Sequence, residues 1–159
     1  MTVLLVEDEV SKCRRISEYL NESFPNLIIS VAQSVTSAII EVRQNSYDYL
    51  LLDMSLPLFD NTDLIHSDSN EFDAFGGIAV LDEIDRLQLS CKVILITAFD
   101  TLGEGSTLIR LPEITIKLDK DYPDNFVGSV YYNMSSLSWK QQLSKLLTRE
   151  GLNNEHSDS

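Results

Sequence analysis

Acidic side chains follow two short apolar runs of the sequence, and a threonine follows a third. Glu7, Asp8 and Glu9 come directly after the first run, Asp53 after the second and Thr97 after the third. These runs are Val3–Val6, Tyr49–Leu52 and Val93–Ile96. The carboxyl ends of parallel strands share one edge of a sheet, where α/β proteins bind ligands. If the runs are such strands, we expect the carboxylates and the hydroxyl to converge.

Converging carboxylates favour one kind of chemistry. They repel each other, which raises their pKa values unless a cation neutralises them. Mg²⁺ prefers oxygen ligands and binds one or two carboxylates together with a phosphate. Such a site suits phosphoryl transfer, in which the protein mainly positions groups and compensates charge. A single acid at a strand end is more often a solvated loop residue, so the prediction depends on the joint pattern.

The elements that must position these residues alternate along the chain. Short apolar runs are separated by longer stretches of helical period, which is typical of βα units around a parallel sheet. We predict helices over about Ser11–Leu20, after the cap Ser34, from Gly76, and from about Ser136 to Gly151. Ile114, Ile116 and Leu118 alternate as in a strand, after a short helix that Pro112 stops. Phe126–Tyr132 also has the composition of a strand.

The stretch from Leu58 to Phe75 interrupts this alternation. It contains five acids and no lysine or arginine, yet it also carries leucines and phenylalanines. A loop of this length inside a compact domain is either functional or disordered. A passive, solvated acidic loop is the alternative. We predict that this insertion is partly ordered and gates the access of a partner to the sheet edge at Asp53.

Length and charge exclude several classes of function. The chain has 159 residues, enough for one ordinary domain, and a net charge of −13, which disfavours nucleic acid and anionic lipid as partners. The N-terminal apolar run is too short for a signal peptide or a membrane span. Two distant cysteines, Cys13 and Cys91, indicate neither a disulfide scaffold nor a zinc site. We therefore expect a soluble cytoplasmic domain.

Four motifs, taken in order, resemble the receiver domain of two-component response regulators over essentially the whole chain. They are VLLVEDE (Val3–Glu9), LLLDMSLP (Leu50–Pro57), GGIAVLDEIDRL (Gly76–Leu87) and VILITAFD (Val93–Asp100). The resemblance implies a doubly wound, five-stranded parallel α/β sheet of flavodoxin-like order 2-1-3-4-5. We predict a receiver domain over residues 1–150, with the 58–75 insertion, and a flexible tail over 151–159.

The resemblance also implies a role for each matched residue. Asp53 would accept the phosphoryl group. Mg²⁺ would be held by Asp8, by Glu7 mostly through water, by Asp53 and by the backbone carbonyl of Ser55. Thr97 would hydrogen-bond the phosphoryl group as the switch residue. No other cofactor is implied.

The lysine that receivers carry at the end of the fifth strand has no single match. Lys120 continues the alternation of Ile116 and Leu118, and Lys117 fits if that strand ends earlier; we favour Lys120. If Phe126–Tyr132 were the fifth strand instead, the lysine would be missing and phosphorylation would be in doubt.

The implied function is that of a stand-alone response regulator. A histidine kinase or phosphotransfer protein would phosphorylate Asp53, and an unidentified downstream protein would read the result. The chain would be a phosphoacceptor in a phosphorelay, with some self-dephosphorylation, and not a conventional enzyme. Dinucleotide binding is disfavoured because acids stand where a glycine-rich loop is needed. The open alternative is a receiver-like module that binds a partner without phosphorylation.

Overall fold

The computed structural model describes residues 1–60 and 72–157, which form nine strands and five α-helices. In chain order these are β1 (Thr2–Val6), α1 (Val10–Ser23), β2 (Ile28–Ala32), α2 (Val35–Gln44), β3 (Tyr49–Leu52), β4 (Leu56–Pro57), β5 (Phe72–Asp73), α3 (Gly76–Arg86), β6 (Lys92–Thr97), β7 (Thr101–Leu102), β8 (Ile109–Arg110), α4 (Leu111–Asp121), β9 (Phe126–Tyr131) and α5 (Ser138–Ser157). A short 3-10 helix, Gly105–Thr107, lies between β7 and β8.

Five of these strands form one parallel sheet in the order β2-β1-β3-β6-β9. Val3 is the partner of both Ile29 and Tyr49, and Tyr49 is the partner of Lys92. Counted within this sheet alone, the order is 2-1-3-4-5. The predicted fold class is therefore confirmed.

Side chains that alternate along the strands build a core on each face of the sheet. Leu4, Leu50 and Leu95 belong to the core under α2, α3 and α4. Leu51 and Ile94 belong to the other, under α1 and α5. Because both faces are covered by helices, the strands are apolar at nearly every position, which is why short apolar runs identified them.

The fifth strand of the sheet is β9, and the predicted strand at Ile114–Leu118 is wrong. These residues lie in α4, where Ile114 and Leu118 are buried and Ile116 is 71% exposed. Two buried residues four positions apart satisfy a helical period as well as an alternating one. Pro112 lies in the first turn of this helix, where proline is well tolerated, and does not stop a helix.

The predicted start of α2 is confirmed, and the predicted end of the last helix is wrong. The Ser34 side chain accepts a hydrogen bond from the backbone N–H of Ser37 and caps α2 as predicted. The predicted end of the last helix at Gly151 is wrong, because α5 continues to Ser157. A glycine costs a helix about 1 kcal/mol relative to alanine and does not forbid its continuation. The division into residues 1–150 and a tail over 151–159 stays a prediction.

The insertion leaves and rejoins the domain beside the sheet edge. Strand β4, directly before the insertion, pairs antiparallel with β5 near the insertion's end, with Leu56 opposite Asp73 and Pro57 opposite Phe72. The predicted order and gating role of the 58–75 segment depend on residues 61–71, which lie outside the described residues. That hypothesis stays a prediction.

Within the described part of the chain, every helix is too short or too polar to cross a membrane.

An ion-pair cluster between α2 and α3 gives the fold a measurable acid dependence. The Arg43 Nε donates to Glu83 Oε1 at 2.8 Å, and Arg86 pairs with the same carboxylate. Hydrogen bonds from Arg86 and Arg43 lower the pKa of Glu83 to about 2. Folding lowers this pKa, so the ionised Glu83 stabilises the folded state. This stabilisation is fully present above the ordinary pKa near 4.5 and is lost as the pH falls toward 2.

We expect Glu83→Gln to flatten the acid side of the stability profile. Between pH 5 and pH 3 the melting temperature should fall less in this variant than in the wild type. Thermal denaturation followed by circular dichroism measures this slope. Glu113→Gln, which changes an exposed glutamate of α4, is the control and should leave the wild-type slope unchanged. Equal slopes for Glu83→Gln and the wild type would contradict this assignment.

Candidate phosphoryl-acceptor and metal site

The ends of β1 and β3 bring three carboxylates together. Glu7 and Asp8 follow β1 directly, Asp53 follows β3, and the two strands are in register with Val6 opposite Leu52. One oxygen from each of these three side chains lies within 4.8 Å of the others. The expected convergence of these acids is therefore confirmed. Glu9, the third acid of the run, is exposed and precedes α1.

Burial dominates the electrostatics of this cluster. Glu7 is 1% exposed, Asp53 is 5% exposed and Asp8 is half-buried. Burial raises the pKa of Glu7 to about 8, although the neighbouring Lys12 lowers it. Burial also raises the pKa of Asp8, and repulsion from Asp53 adds to that. The site therefore favours a cation that would offset the cost of the buried negative charge.

A lysine that sequence reasoning missed lies at the centre of the cluster. The Nζ atom of Lys12 is 2.6 Å from Glu7 Oε2 and 3.2 Å from Asp53 Oδ2, and it donates to the backbone oxygen of Ile96 at 2.9 Å. Lys12 is 1% exposed. Burial lowers its pKa, but Asp53 and Glu7 outweigh burial and hold the pKa above its ordinary value. Lys12 is therefore a charged ammonium that links α1 to the ends of three strands.

The sequence contained a signal for Lys12. It precedes Ile16 and Leu20 by four and eight positions, and all three are the buried residues of α1. A lysine in the apolar stripe of a helix needs a polar partner in the interior. The acids at the preceding strand end were the available partners.

The lysines named from the sequence are not in the site. Lys117 and Lys120 lie on α4 and are exposed, so their predicted place at the end of the fifth strand is wrong. Tyr132 follows β9 instead and is 4% exposed. Its ring centroid is 5.7 Å from Lys12 Nζ.

Thr97 and Ser55 complete the edge of the site. Thr97 ends β6, is fully buried and accepts a hydrogen bond from the Phe99 backbone N–H at 3.2 Å. The Ser55 backbone N–H donates a long hydrogen bond to Asp53 Oδ1 at 3.4 Å. The roles of Asp53, Thr97 and the Ser55 carbonyl stay predictions.

Gly77 holds the start of α3 against the strand end at Asp53. Its backbone N–H donates to the Met54 carbonyl at 2.8 Å. A Cβ at this position would lie 2.8 Å from the carbonyl oxygen of Asp53 and 3.0 Å from Met54 Cα. Glycine is therefore required here by the close approach of two backbones.

The donor set of the cluster fits a hard divalent cation. Its three acidic side chains offer oxygen ligands only, as Mg²⁺ prefers. When all are ionised, their three negative charges and the one positive charge of Lys12 give a net charge of −2, which one Mg²⁺ would neutralise. An open cleft of about 530 Å³ adjoins the site and is lined by Ser55, Phe75 and Phe99 among others.

Two curated proteins resemble the chain over most of its length. One is the uncharacterized protein y4jR of Sinorhizobium fredii, 29% identical over 140 residues that cover 88% of this chain and 92% of that protein. The other is the Detocs response regulatory protein DtcB of Enterobacter cloacae, 27% identical over 149 residues that cover 93% and 99%. No protein-family model matches the chain.

Solved structures with the same fold include a signal receiver domain and a response regulator protein. The receiver domain of a putative LuxO repressor protein from Vibrio parahaemolyticus has a TM-score of 0.61 and 22% identity, with 96% of this chain and 94% of that one covered. The response regulator TrrA of Thermotoga maritima, in complex with Mg²⁺ and BeF, has a TM-score of 0.59 and 20% identity, with 91% and 97% covered. At these identities the likeness shows the fold.

Proposed function

We propose that this chain, which has the fold of a response-regulator receiver domain, accepts a phosphoryl group on Asp53 in a two-component pathway. The convergence of Glu7, Asp8 and Asp53 at the carboxyl edge of the sheet carries the proposal. Buried carboxylates that converge in this way are costly unless a cation compensates their charge, and such clusters concentrate at functional sites. One of the two curated relatives, DtcB, is a response regulatory protein, which supports the same class of function.

The proposed step needs no proton transfer at the acceptor. An ionised Asp53 oxygen attacks the phosphorus atom, a P–O bond of a small phosphodonor or the P–N bond of a phosphohistidine breaks, and the leaving group departs with the bonding electrons. Asp8, Glu7, Asp53 and the Ser55 carbonyl would hold Mg²⁺. When bound, Mg²⁺ would compensate the charge that develops on the phosphoryl oxygens. The chain acts as a phosphoacceptor and not as a conventional enzyme.

The proposed output is a change of surface near β6. The acyl phosphate brings new acceptor oxygens and about −1.5 to −2 charge. The Thr97 hydroxyl stands at the end of β6 and would turn toward those oxygens, which would shift the segment that follows. A histidine kinase or phosphotransfer protein is the proposed donor and an unidentified protein the proposed target. The net charge of −13 favours protein partners over nucleic acid or membrane, and the proposed location is the cytoplasm.

One observation favours a second candidate function. Lys12 already pairs with both Glu7 and Asp53, so part of the buried charge is compensated without a metal ion. A receiver-like module that binds its partner without phosphorylation would need no more than this. The two candidates differ in whether Asp53 takes up phosphate.

Intact-mass spectrometry of protein incubated with acetyl phosphate and Mg²⁺ tests the proposal. We expect one added phosphoryl group on the wild type, none on Asp53→Asn, and at least about a tenfold lower yield on Asp8→Ala or in EDTA. Asp119→Asn, which changes an exposed carboxylate of α4, is the control and should label like the wild type. Folded wild type that takes no label would favour the second candidate. Labelling of Asp53→Asn to the wild-type extent would show that another residue is the acceptor.

A further inference from the structure

We infer that Lys12, on the first helix, is the cation that contacts the phosphoryl group of phosphorylated Asp53. In this chain it takes the role for which the sequence offered Lys117 and Lys120 on a later segment. The inference rests on the proposed function, since it assigns the partner of the phosphoryl group at that same site. It comes from the position of the Lys12 ammonium between two carboxylates at the sheet edge.

The lengths of the three contacts of Lys12 indicate which contact would change on phosphorylation. The Lys12 ammonium donates hydrogen bonds to the Ile96 carbonyl and to Asp53 Oδ2, and it forms an ion pair with Glu7 Oε2. The contact to Asp53 is the longest, at 3.2 Å against 2.6 Å and 2.9 Å. It is therefore the donor most easily transferred to a new acceptor, while the other two keep the ammonium in place.

Phosphorylation of Asp53 both weakens its attraction for Lys12 and adds phosphoryl oxygens that can accept a hydrogen bond. As an acyl phosphate, Asp53 loses the carboxylate charge that attracted Lys12, and about −1.5 to −2 charge appears on the phosphoryl oxygens, two bonds beyond the carboxyl oxygen. Lys12 is 1% exposed, so water cannot replace a lost partner. We therefore expect one N–H of Lys12 to turn from the carboxylate to a phosphoryl oxygen.

The described residues offer no competing cation at this point. Lys12 is the ion-pair partner of Asp53 within residues 1–60 and 72–157. Lys117 and Lys120 are exposed on α4, and buried Tyr132 occupies the position after the fifth strand. The cation is thus supplied by α1, which begins four residues after the first strand ends.

The aromatic residues next to Lys12 provide a fluorescence signal for its movement. The Tyr132 ring lies 5.7 Å from Lys12 Nζ and 5.0 Å, centroid to centroid, from the ring of Trp139. Trp139 is the single tryptophan of the chain and is 3% exposed. A movement of the ammonium should therefore alter tryptophan fluorescence.

The test compares binding of a phosphoryl analogue with binding of the metal alone. Beryllofluoride is titrated at saturating Mg²⁺, followed by Trp139 fluorescence and by calorimetry, in the wild type and in Lys12→Met. We expect Lys12→Met to bind beryllofluoride about 10- to 100-fold more weakly, as for the loss of a hydrogen bond to a charged group. Lys117→Met and Lys120→Met are matched controls and should stay within about twofold of the wild type, as surface charges.

For Mg²⁺ alone, the substitution should change the affinity in the opposite direction. Removal of a positive charge beside the three carboxylates should make Mg²⁺ bind more tightly in Lys12→Met than in the wild type. A residue that merely supported the fold would weaken both ligands together. Lys12→Met that binds beryllofluoride within about threefold of the wild type would overturn the inference, and so would weaker binding of both ligands.

A wild-type measurement covers the case in which Lys12→Met does not fold. In protein labelled with ¹⁵N-lysine, the Lys12 ammonium should give a signal protected from exchange by its burial, assigned by its absence in Lys12→Arg. We expect this signal to shift when beryllofluoride is added at saturating Mg²⁺. No shift would overturn the inference.

Failure of the proposed function has a different signature. Wild type that neither takes up phosphate nor binds beryllofluoride would remove the proposed function. Labelling at Asp53 together with an unaffected Lys12 would remove this inference alone.

Discussion

Lys12→Met is expected to lower the free energy of unfolding of the metal-free protein by about 3 to 5 kcal/mol. The substitution keeps most of the apolar stem but removes the charge that faces Glu7 and Asp53, both nearly inaccessible to solvent. Two buried carboxylates then lose their compensating cation. Urea denaturation followed by circular dichroism measures the loss.

Two further measurements, with Mg²⁺ and with a second substitution, distinguish the loss of the Lys12 charge from the loss of its packing as the cause of the lower stability. Saturating Mg²⁺ should restore more stability to Lys12→Met than it adds to the wild type, since the cation replaces the missing charge. The double variant Glu7→Gln with Lys12→Met should be more stable than Lys12→Met alone, because one uncompensated carboxylate is removed with the lysine. Lys145→Met, which changes an exposed lysine of α5, is the control and should cost less than about 1 kcal/mol. A cost below about 1 kcal/mol for Lys12→Met would contradict the described ion pairs.

Gly77→Ala is expected to impair both stability and phosphorylation. The added Cβ would lie 2.8 Å from the Asp53 carbonyl oxygen, and a backbone cannot yield as a flexible side chain does. Overpacking of this kind costs about 1 to 3 kcal/mol, and displacement of a reacting group by about 1 Å can cost about 100-fold in rate. We therefore expect the initial rate of labelling by acetyl phosphate to fall at least about tenfold, measured by intact mass on the folded fraction.

A second glycine provides the matched control. At Gly128, on β9, a Cβ would meet only side-chain atoms of Leu146, at 3.2 Å and beyond. Gly128→Ala should therefore label at close to the wild-type rate. Equal rates for Gly77→Ala and Gly128→Ala would show that the contact between α3 and Asp53 is not needed to position the acceptor.

The sequence was sufficient to predict the sheet and its acids because these depend on local signals. Strands covered on both faces are apolar runs, and the residues directly after them must lie at one edge of a parallel sheet. Glu7, Asp8 and Asp53 could therefore be placed together from their positions after Val6 and Leu52.

The fifth strand was harder because two periods coincide. Ile114 and Leu118 are four residues apart, which satisfies both a helix and a strand, and Ile116 completed the apparent alternation. Because the fifth strand was predicted at the wrong place, Lys117 and Lys120 were predicted as the lysine at its end. In the structure Ile116 is exposed and the strand lies ten residues later along the chain, counted from Ile116 to Phe126.

Lys12 was missed for a different physical reason. Its helical stripe with Ile16 and Leu20 shows that it faces the interior, but not which strand ends it meets. That depends on how α1 lies across the sheet, which is set by packing against Val3, Leu5 and the residues of α5. Tertiary placement of this kind has no counterpart in local sequence.

A crystal structure of the wild-type protein with Mg²⁺ and beryllofluoride would test the central claim most directly. We expect beryllofluoride bonded to a carboxylate oxygen of Asp53, Mg²⁺ held with Asp8 beside it, and Lys12 Nζ within hydrogen-bond distance of a fluorine atom. Beryllofluoride on Asp53 with Lys12 still paired only to carboxylates would contradict the role of Lys12. Crystals grown at saturating ligand with no beryllofluoride on Asp53 would contradict the account of this site as a phosphoryl acceptor.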